Sequence, residues 1–334
     1  MTLVVDKFRT LIPPRAKSSP SGWTSFNAPC CGHRGHSVDT RKRGGLRFDN
    51  GIVFNCFNCK FTASWQPGRP ITNKFKNLCK WLGASDEDIN ALIFEALKTE
   101  APDYVPTASE HKVEFTDKPL PEGALPIKEW ANQSSALLSD LYPVVEYIVG
   151  RGFDPAEFYW SPAAGYESRV IIPFFYHGRI VGNTARKVTD GKPKYLSDQH
   201  PHFVFNIDAQ KEEQQYLFVC EGPFDALAVG GVALLTNDIA EQQARIINSL
   251  GHKIIVIPDQ DEAGLELIKR AIEYDWAVAF PTWGDDVKDS ADAVQKYGRL
   301  FVTVDAIKTA QQGEIKLTMA LKNLEQKLKR QYNN

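Results

Sequence analysis

The apolar run Ile254-Ile-Val-Ile257 ends at Pro258 and is followed at once by two carboxylates, Asp259 and Asp261. Two residues apart in extended backbone, their side chains point to the same side, where like charges repel unless a cation lies between them. A second apolar run, Tyr216-Leu-Phe-Val-Cys220, also ends on an acid, Glu221, after which Gly222-Pro223 turns the chain toward Asp225. A third acidic group, Asp285, Asp286, Lys288, Asp289 and Asp292, follows the run Ala277-Val-Ala-Phe280. Taken singly, Asp285, Asp286 and Asp292 read as solvated loop acids, whereas Glu221, Asp259 and Asp261 end strands in a common pattern. Hard oxygen donors of this kind suit Mg²⁺ or Mn²⁺, which keep several waters and share phosphate oxygens with a substrate.

A second constellation suits a softer ion. Cys30-x2-His33 and Cys56-x2-Cys59 are separated by twenty-two residues, and each pair fits one tight turn. Four ligands at this spacing predict a tetrahedral, structural zinc ion held by Cys30, His33, Cys56 and Cys59. Cys31 with His36 is the competing choice for the first pair. The cations Arg34, Arg41, Lys42 and Arg43 follow, and Trp23, Phe26, Phe54 and Phe57 are interleaved with them. Such a mixture neutralises phosphates and stacks on unpaired bases, although in a small module the same aromatics serve equally as its core.

The 334 residues, 43% of them hydrophobic, allow two or three domains. No run approaches the roughly 20 apolar residues of a membrane span, and the opening MTLVVDKFRT carries charge where a signal peptide needs apolar residues, so a cytoplasmic protein without membrane contact is expected. Cys79 and Cys220 stand apart from the other four cysteines and read as buried thiols; in a reducing compartment the crowded four indicate metal rather than disulfides. Eleven Lys and Arg face three acids in residues 1–70, whereas the whole chain carries −2. A basic head on an acidic body points to a polyanionic partner for the head.

The elements that must position these groups can be read in the same way. Residues 1–70 form a small β-rich module that needs a staple. Residues 71–98 keep helical spacing, with Ser85-Asp-Glu-Asp88 as a capping box before Ile89. Residues 99–127, broken by Pro102, Pro106, Pro119, Pro121 and Pro126, read as a linker. From residue 128, strand-like and helical runs alternate, which predicts an α/β domain with a largely parallel sheet and a site at the carboxyl ends of its strands. Ahead of the acids, residues 168–196 read as a hairpin carrying Arg169, Arg186, Lys187, Lys192 and Lys194. Residues 304–334, with Ile315, Met319, Leu321 and Leu324 among lysines, read as one amphipathic C-terminal helix.

The motifs "VCEGPFDAL" and "VIPDQDEAG" resemble the Toprim domain, in which a glutamate follows one strand and D-x-D a later one, and "KDSAD" at 288–292 looks like the third acidic motif of its primase branch. "EYIVGRGFDPAEF" resembles the segment that opens primase polymerase cores. With the zinc module in front, the chain resembles phage and bacterial DNA primases, most of all the single-chain phage primase that works beside a separate replicative helicase; no G-x-x-x-x-G-K-[ST] loop is present. That resemblance implies an α/β Toprim-type polymerase core over 128–303, its Toprim part at about 213–303, behind an N-terminal zinc-ribbon domain that inspects the template. It implies short RNA synthesis from ribonucleoside triphosphates on single-stranded DNA, with Glu221, Asp259, Asp261 and Asp289 on Mg²⁺ or Mn²⁺. Lys187 then belongs to the catalytic set, Arg169, Arg186, Lys187, Lys192 and Lys194 hold nucleotide phosphates, and Arg34, Arg41, Lys42 and Arg43 touch DNA. A Toprim nuclease or DNA-maturation factor anchored by its zinc module is the alternative, and a non-catalytic replication adaptor the third class.

Overall fold

The computed structural model describes residues 3–48, 51–98, 114–132, 135–236, 238–284 and 286–332. Most of the expected linker (99–113) and Asp285 lie outside the described residues. Two compact units divide the chain: Met1–Lys112 with Glu273–Asp275, and Val113–Ile272 with Trp276–Asn334.

In the first unit, helix α1 (Leu3–Arg9) precedes five antiparallel strands in the order β1 (Lys17–Ser18), β2 (Trp23–Phe26), β3 (Gly44–Arg47), β4 (Ile52–Cys56) and β5 (Thr62–Trp65), with the short helix α2 (Cys30–His33) between β2 and β3. The period of two in a strand decides which side is core. Ile52, Phe54 and Cys56 are buried while Val53 and Asn55 are not, and Ala63 and Trp65 alternate with Thr62 and Ser64 in the same way. Helix α3 (Asn73–Trp81) starts where the Thr72 hydroxyl accepts the Phe75 amide at 3.2 Å. Helix α4 (Asp86–Lys98) starts at the capping box, with Ser85 N donating to Asp88 Oδ2 at 2.9 Å and Asp88 N to Ser85 Oγ at 3.1 Å. Phe8 of α1 and Phe75 of α3 pack with ring centroids 5.1 Å apart, and Leu78, Ile89 and Leu92 join Leu46, Phe54 and Trp65 in one core.

The second unit holds two sheets, which corrects the expectation of one largely parallel sheet. The first is antiparallel, in the order β10-β9-β8-β7-β6, built from β6 (Leu125–Pro126), β7 (Tyr159–Trp160), β8 (Arg169–Tyr176), β9 (Arg179–Lys187) and β10 (Tyr195–Asp198). Its centre is the expected hairpin, Arg169 opposite Lys187, turned by His177 and Gly178 at φ 51° and 73°. Strands joined by so short a turn must run antiparallel, which the alternation of apolar runs alone does not distinguish. Helix α5 (Ser135–Gly150) precedes this hairpin. The end of the expected linker is anchored on the same sheet: Lys118 N donates to Ile180 O at 3.1 Å, and the Phe115 ring lies 5.0 Å from both Tyr176 and Phe203.

The second sheet is parallel, in the order β12-β11-β13-β14, from β11 (Tyr216–Cys220), β12 (Val232–Ala233), β13 (Lys253–Val256) and β14 (Ala277–Val278). Helices α6 (Pro223–Val229), α7 (Glu241–Ser249) and α8 (Glu262–Tyr274) connect them, followed by α9 (Ser290–Tyr297), α10 (Arg299–Thr309) and α11 (Glu314–Tyr332). The single helix expected over 304–334 is thus two. Gln311 interrupts it because its backbone exchanges hydrogen bonds of 2.8 and 2.9 Å with Val278 at the sheet edge, and Gly313 at φ 97° restarts the turn. Among the described residues no helix is long and apolar enough to cross a membrane.

The chain leaves β11 toward β12 on one side and returns to β13 on the other, so the strand order reverses between β11 and β13. The crevice beyond the carboxyl ends of strands at such a reversal is where open parallel sheets place their ligands. Phe224, on the first turn of α6, packs against Phe158, Phe153 and Tyr147, so α6 lies between the parallel sheet and the antiparallel one and brings the hairpin near that crevice.

Candidate metal centres and their cationic surroundings

In the first unit the thiols of Cys30, Cys31, Cys56 and Cys59 converge, all within 4.8 Å of one another and all buried. Cys30 Sγ lies 3.4 Å from Cys59 Sγ, and Cys31 Sγ 3.5 Å from Cys56 Sγ. Four sulfurs around zinc at Zn–S of about 2.3 Å form a tetrahedron with edges of about 3.8 Å, so the donor set fits that ion. Burial first, and then the neighbouring thiols, push the Cys30 thiol well above its ordinary pKa. A thiol raised in this way becomes a thiolate readily only when a cation shares its charge.

The cluster differs from the expected ligand set: Cys31 stands where His33 was expected. On the turn of α2, the adjacent cysteines both reach the cluster, while His33 stacks on Trp81 at 5.2 Å and 10°. The competing pair, Cys31 with His36, is half met, since His36 is not in the cluster either. The doublet Cys30-Cys31 was the available signal. Opposite it, Cys56 N donates to Phe61 O at 2.8 Å and Lys60 N to Cys56 O at 2.9 Å, closing a knuckle in which Lys60 takes φ 60°.

The basic loop between α2 and β3 is built around one buried acid. Asp39 accepts the amides of Ala28 (2.8 Å), Arg41 (2.9 Å) and Arg43 (2.7 Å). Burial works to raise its pKa, but these donations, with the Arg43 charge, hold it below the usual carboxylate range. Arg41 is left exposed, Lys42 donates through Nζ to Arg15 O at 3.0 Å, and the Arg34 guanidinium lies 5.4 Å over the Phe61 ring. The aromatics divide. Phe26 and Phe54 are core, whereas Phe57 is 61% exposed on the knuckle. Trp23 and Phe57 flank Gly45, where a Cβ would lie 3.2 Å from the Trp23 ring and 3.6 Å from the Phe57 ring.

In the second unit, Glu221 directly follows β11, and Asp259 and Asp261 follow β13, its paired neighbour, with Ile257 N donating to Val219 O at 2.9 Å. Parallel strands lie about 4.8 Å apart, so the register alone sets the acids side by side. Gly222 and Pro223 turn the chain into α6, and Asp225 Oδ1 accepts the Ala291 amide at 3.0 Å, tying α6 to α9. Asp261 caps α8 by accepting Ala263 N at 3.0 Å and Gly264 N at 3.1 Å. Gly264 is required there, because a Cβ would lie 2.0 Å from the Asp259 carbonyl oxygen.

Burial and mutual repulsion raise three of these carboxyls. Glu221 is pushed to about 7 by burial and then by Asp261; Asp259 to about 7 by burial, then Glu221, Asp289 and Asp261; Asp225 to about 8 by burial, then Asp289 and Asp259. Glu221 Oε1 is buried with no hydrogen-bond partner. An orphaned carboxylate oxygen among repelling acids fits a hard divalent cation such as Mg²⁺. Among the described residues, no set of three carboxylates is packed as closely as the thiols.

Cations border this cluster. Lys288 Nζ lies 3.0 Å from Asp261 Oδ2. Arg151 lies 3.8 Å from Asp289 and 3.6 Å from Asp292, and Asp289 also caps α9 by accepting Asp292 N at 2.8 Å. Asp289 is therefore near the acids but already engaged. The Arg186 guanidinium stacks 5.2 Å from Tyr195, 5.5 Å from Tyr147 and 5.8 Å from Phe224, while Arg151 lies 5.1 Å from Phe224. Lys194 has its pKa lowered by Arg186 first, then burial, Lys288 and Arg151, which gathers these cations into one field.

Lys187 and Lys192 belong to the β9–β10 turn, with the Lys187 ammonium against Gly191. Arg169 departs from its expected role. It is 4% exposed, and its guanidinium donates to the carbonyls of Gly165 (2.9 Å), Ala185 (3.2 Å), Pro193 (2.9 Å) and Lys194 (3.4 Å), so its donors hold the turn rather than a phosphate. Arg151 borders the acids but was not singled out from the sequence, although it stands in the quoted GRGF stretch. Nothing in its spacing marks it; helix α5 and Phe224 place it.

No family model matches the chain. It is similar to a protein named DNA primase from Halalkalibacterium halodurans, 31% identical over 154 residues that cover 40% of this chain and 25% of that protein. It is also similar to a DNA primase from Deinococcus radiodurans, 29% identical over 149 residues, 39% of this chain and 26% of that one. The chain thus spans about a quarter of the length of the curated relatives it matches. Among solved structures, the RNA polymerase domain of Mycobacterium tuberculosis primase DnaG aligns with a TM-score of 0.44 at 20% identity, covering 53% of this chain and 78% of that one. The primase fragment of the bacteriophage T7 primase-helicase protein aligns with a TM-score of 0.39 at 15% identity, covering 84% and 98%.

Proposed function

We propose that this chain is a DNA primase, a nucleotidyltransferase that makes short RNA primers on single-stranded DNA from ribonucleoside triphosphates. The observation that carries this reading is the placement of Glu221 and Asp259 on adjacent parallel strand ends at the reversal of strand order, with Glu221 Oε1 buried and unpartnered. The sequence similarity to proteins named DNA primase supports it.

In this reading Glu221, Asp259 and Asp261 hold Mg²⁺ or Mn²⁺, with Asp225 supporting the loop and Asp289 positioned by Arg151. Divalent ions bound there supply the positive charge that reacting phosphates need. Arg186 and Lys194 meet the triphosphate, with Lys187 and Lys192 at the same turn, and Arg169 fixes that turn through its four carbonyl contacts. A cation held against aromatic faces loses little freedom on binding a phosphate, which is what positioning a triphosphate requires.

The four-cysteine centre takes structural zinc and holds a template-inspecting surface on which Arg41, Arg43, Trp23 and Phe57 meet the strand. A zinc-ribbon unit ahead of a Toprim-type core, a cytoplasmic setting in a phage-infected bacterium and a separate replicative helicase complete the reading.

Incubation with single-stranded DNA, Mg²⁺ and labelled ribonucleotides tests it. New short RNA is the expected product. Shortened DNA instead identifies a nuclease, and neither product identifies an adaptor.

A further inference from the structure

Of the two knuckle residues between Cys56 and Cys59, Phe57 is exposed and Asn58 makes polar contacts in two directions. Asn58 donates through Nδ2 to Cys31 Sγ at 3.4 Å and accepts the Arg43 guanidinium through Oδ1. The main chain repeats this link, since Phe57 N donates to Arg43 O at 2.9 Å and Gly44 pairs with Cys56 in the β3–β4 register. From the other side, the buried Asp39 carboxylate takes the Arg43 amide at 2.7 Å. Arg43 is thus held on three counts, and its guanidinium is held by a residue whose other end rests on a thiol of the four-cysteine centre.

We infer that Asn58 is a positioning residue that couples the four-thiol centre to the Arg43 cation, so that metal held by the cysteines fixes where Arg43 meets a single-stranded polyanion. This rests on the template-binding reading above. An amide donating to a metal-bound sulfur orients the ligand, and its carbonyl end, fixed by that contact, becomes a rigid acceptor for the guanidinium. Without the tether, Arg43 keeps its charge but must be ordered at binding, which weakens the complex without removing a phosphate contact.

The experiment measures binding of the full chain to fluorescent single-stranded DNA at several salt concentrations, together with zinc content by a colorimetric chelator. Asn58→Ala is expected to retain one zinc per chain and to bind DNA about two- to tenfold more weakly, with the salt dependence unchanged. Arg43→Ala is expected to reduce the slope of log K against log salt by about 0.7. In the Arg43→Ala background, Asn58→Ala is expected to add no further loss. Wild-type binding by Asn58→Ala, loss of its zinc, or additive losses in the double variant overturns the coupling. A wild-type chain that does not bind DNA, or Arg43→Ala that binds with an unchanged salt slope, defeats instead the reading on which the coupling rests.

Discussion

The two centres reach opposite solutions to gathering like ligands. The four thiols lie on two turns of one small unit, within 4.8 Å of one another. The carboxylates come from strand ends far apart in the chain and are less tightly packed. A neutral thiol can be buried with its neighbours at little cost, whereas an ionised carboxylate repels its fellows and keeps them apart until a cation arrives. The first centre is therefore built as part of a core, and the second as a set of repelling acids gathered at helix starts. That contrast suits a metal that holds a fold and a metal that meets a substrate.

The largest expected effect separates them by sign. Cys31→Ser should abolish stoichiometric zinc and leave residues 3–98 open to limited proteolysis, because structural zinc supplies on the order of 10 kcal/mol of folding free energy. Zinc retained by that variant would restore His33 or His36 as a ligand.

Asp259→Asn should act the other way. In EDTA it removes repulsion and should raise the melting temperature of the second unit, while lowering the proposed primer synthesis by about a hundredfold or more. A fall in the metal-free melting temperature would show that the acids are not in conflict.

The acid crevice should also impose a pH dependence. Glu221, Asp225 and Asp259 have folded pKa values of about 7, 8 and 7, above their ordinary values of 4.5, 3.8 and 3.8. A raised acid favours the folded state most below its unfolded pKa, and that advantage is lost as pH rises to the folded value. Stability in EDTA should therefore fall between about pH 4 and pH 8, and Mg²⁺ should flatten the profile by binding the deprotonated form with proton release. Thermal melts across this range with and without Mg²⁺ check it; parallel profiles would remove the metal from this site.

Two smaller effects sharpen the comparison. Arg169→Ala, by freeing the turn that carries Lys192 and Lys194, should raise KM for the proposed nucleotide substrates more than it lowers kcat in steady-state assays. His33→Ala should cost only the stacking on Trp81, about 0.5 to 1.5 kcal/mol in chemical denaturation, with zinc retained.

The acids were legible before the fold because strands ending on Glu221 and on Asp259 leave a local trace: an apolar run, a turn and a charge. Ser85 and Asp88 were legible for the same reason, a cap being complete within four residues. His33 was expected in the cluster because C-x2-H and the adjacent pair Cys30-Cys31 satisfy spacing equally, and only the α2 turn sends both thiols inward and the imidazole to Trp81. The burial of Arg169 was not legible because a charge at a strand start carries no mark of it; the four carbonyls around it come from residues 165, 185, 193 and 194.

By itself, the order of residues determined which donor chemistries this protein carries, soft sulfur ahead and hard oxygen behind, and that the latter would crown strands. Those properties are local, set by side-chain type and by backbone periods of two and 3.6. Which donors meet depends on long-range packing: β13 lies beside β11, Phe224 stacks with Arg151 and Arg186 near the acids, and Asn58 bridges Arg43 to Cys31. These contacts join residues distant in the chain, and their geometry follows from strand order and core packing, which no short window of sequence contains.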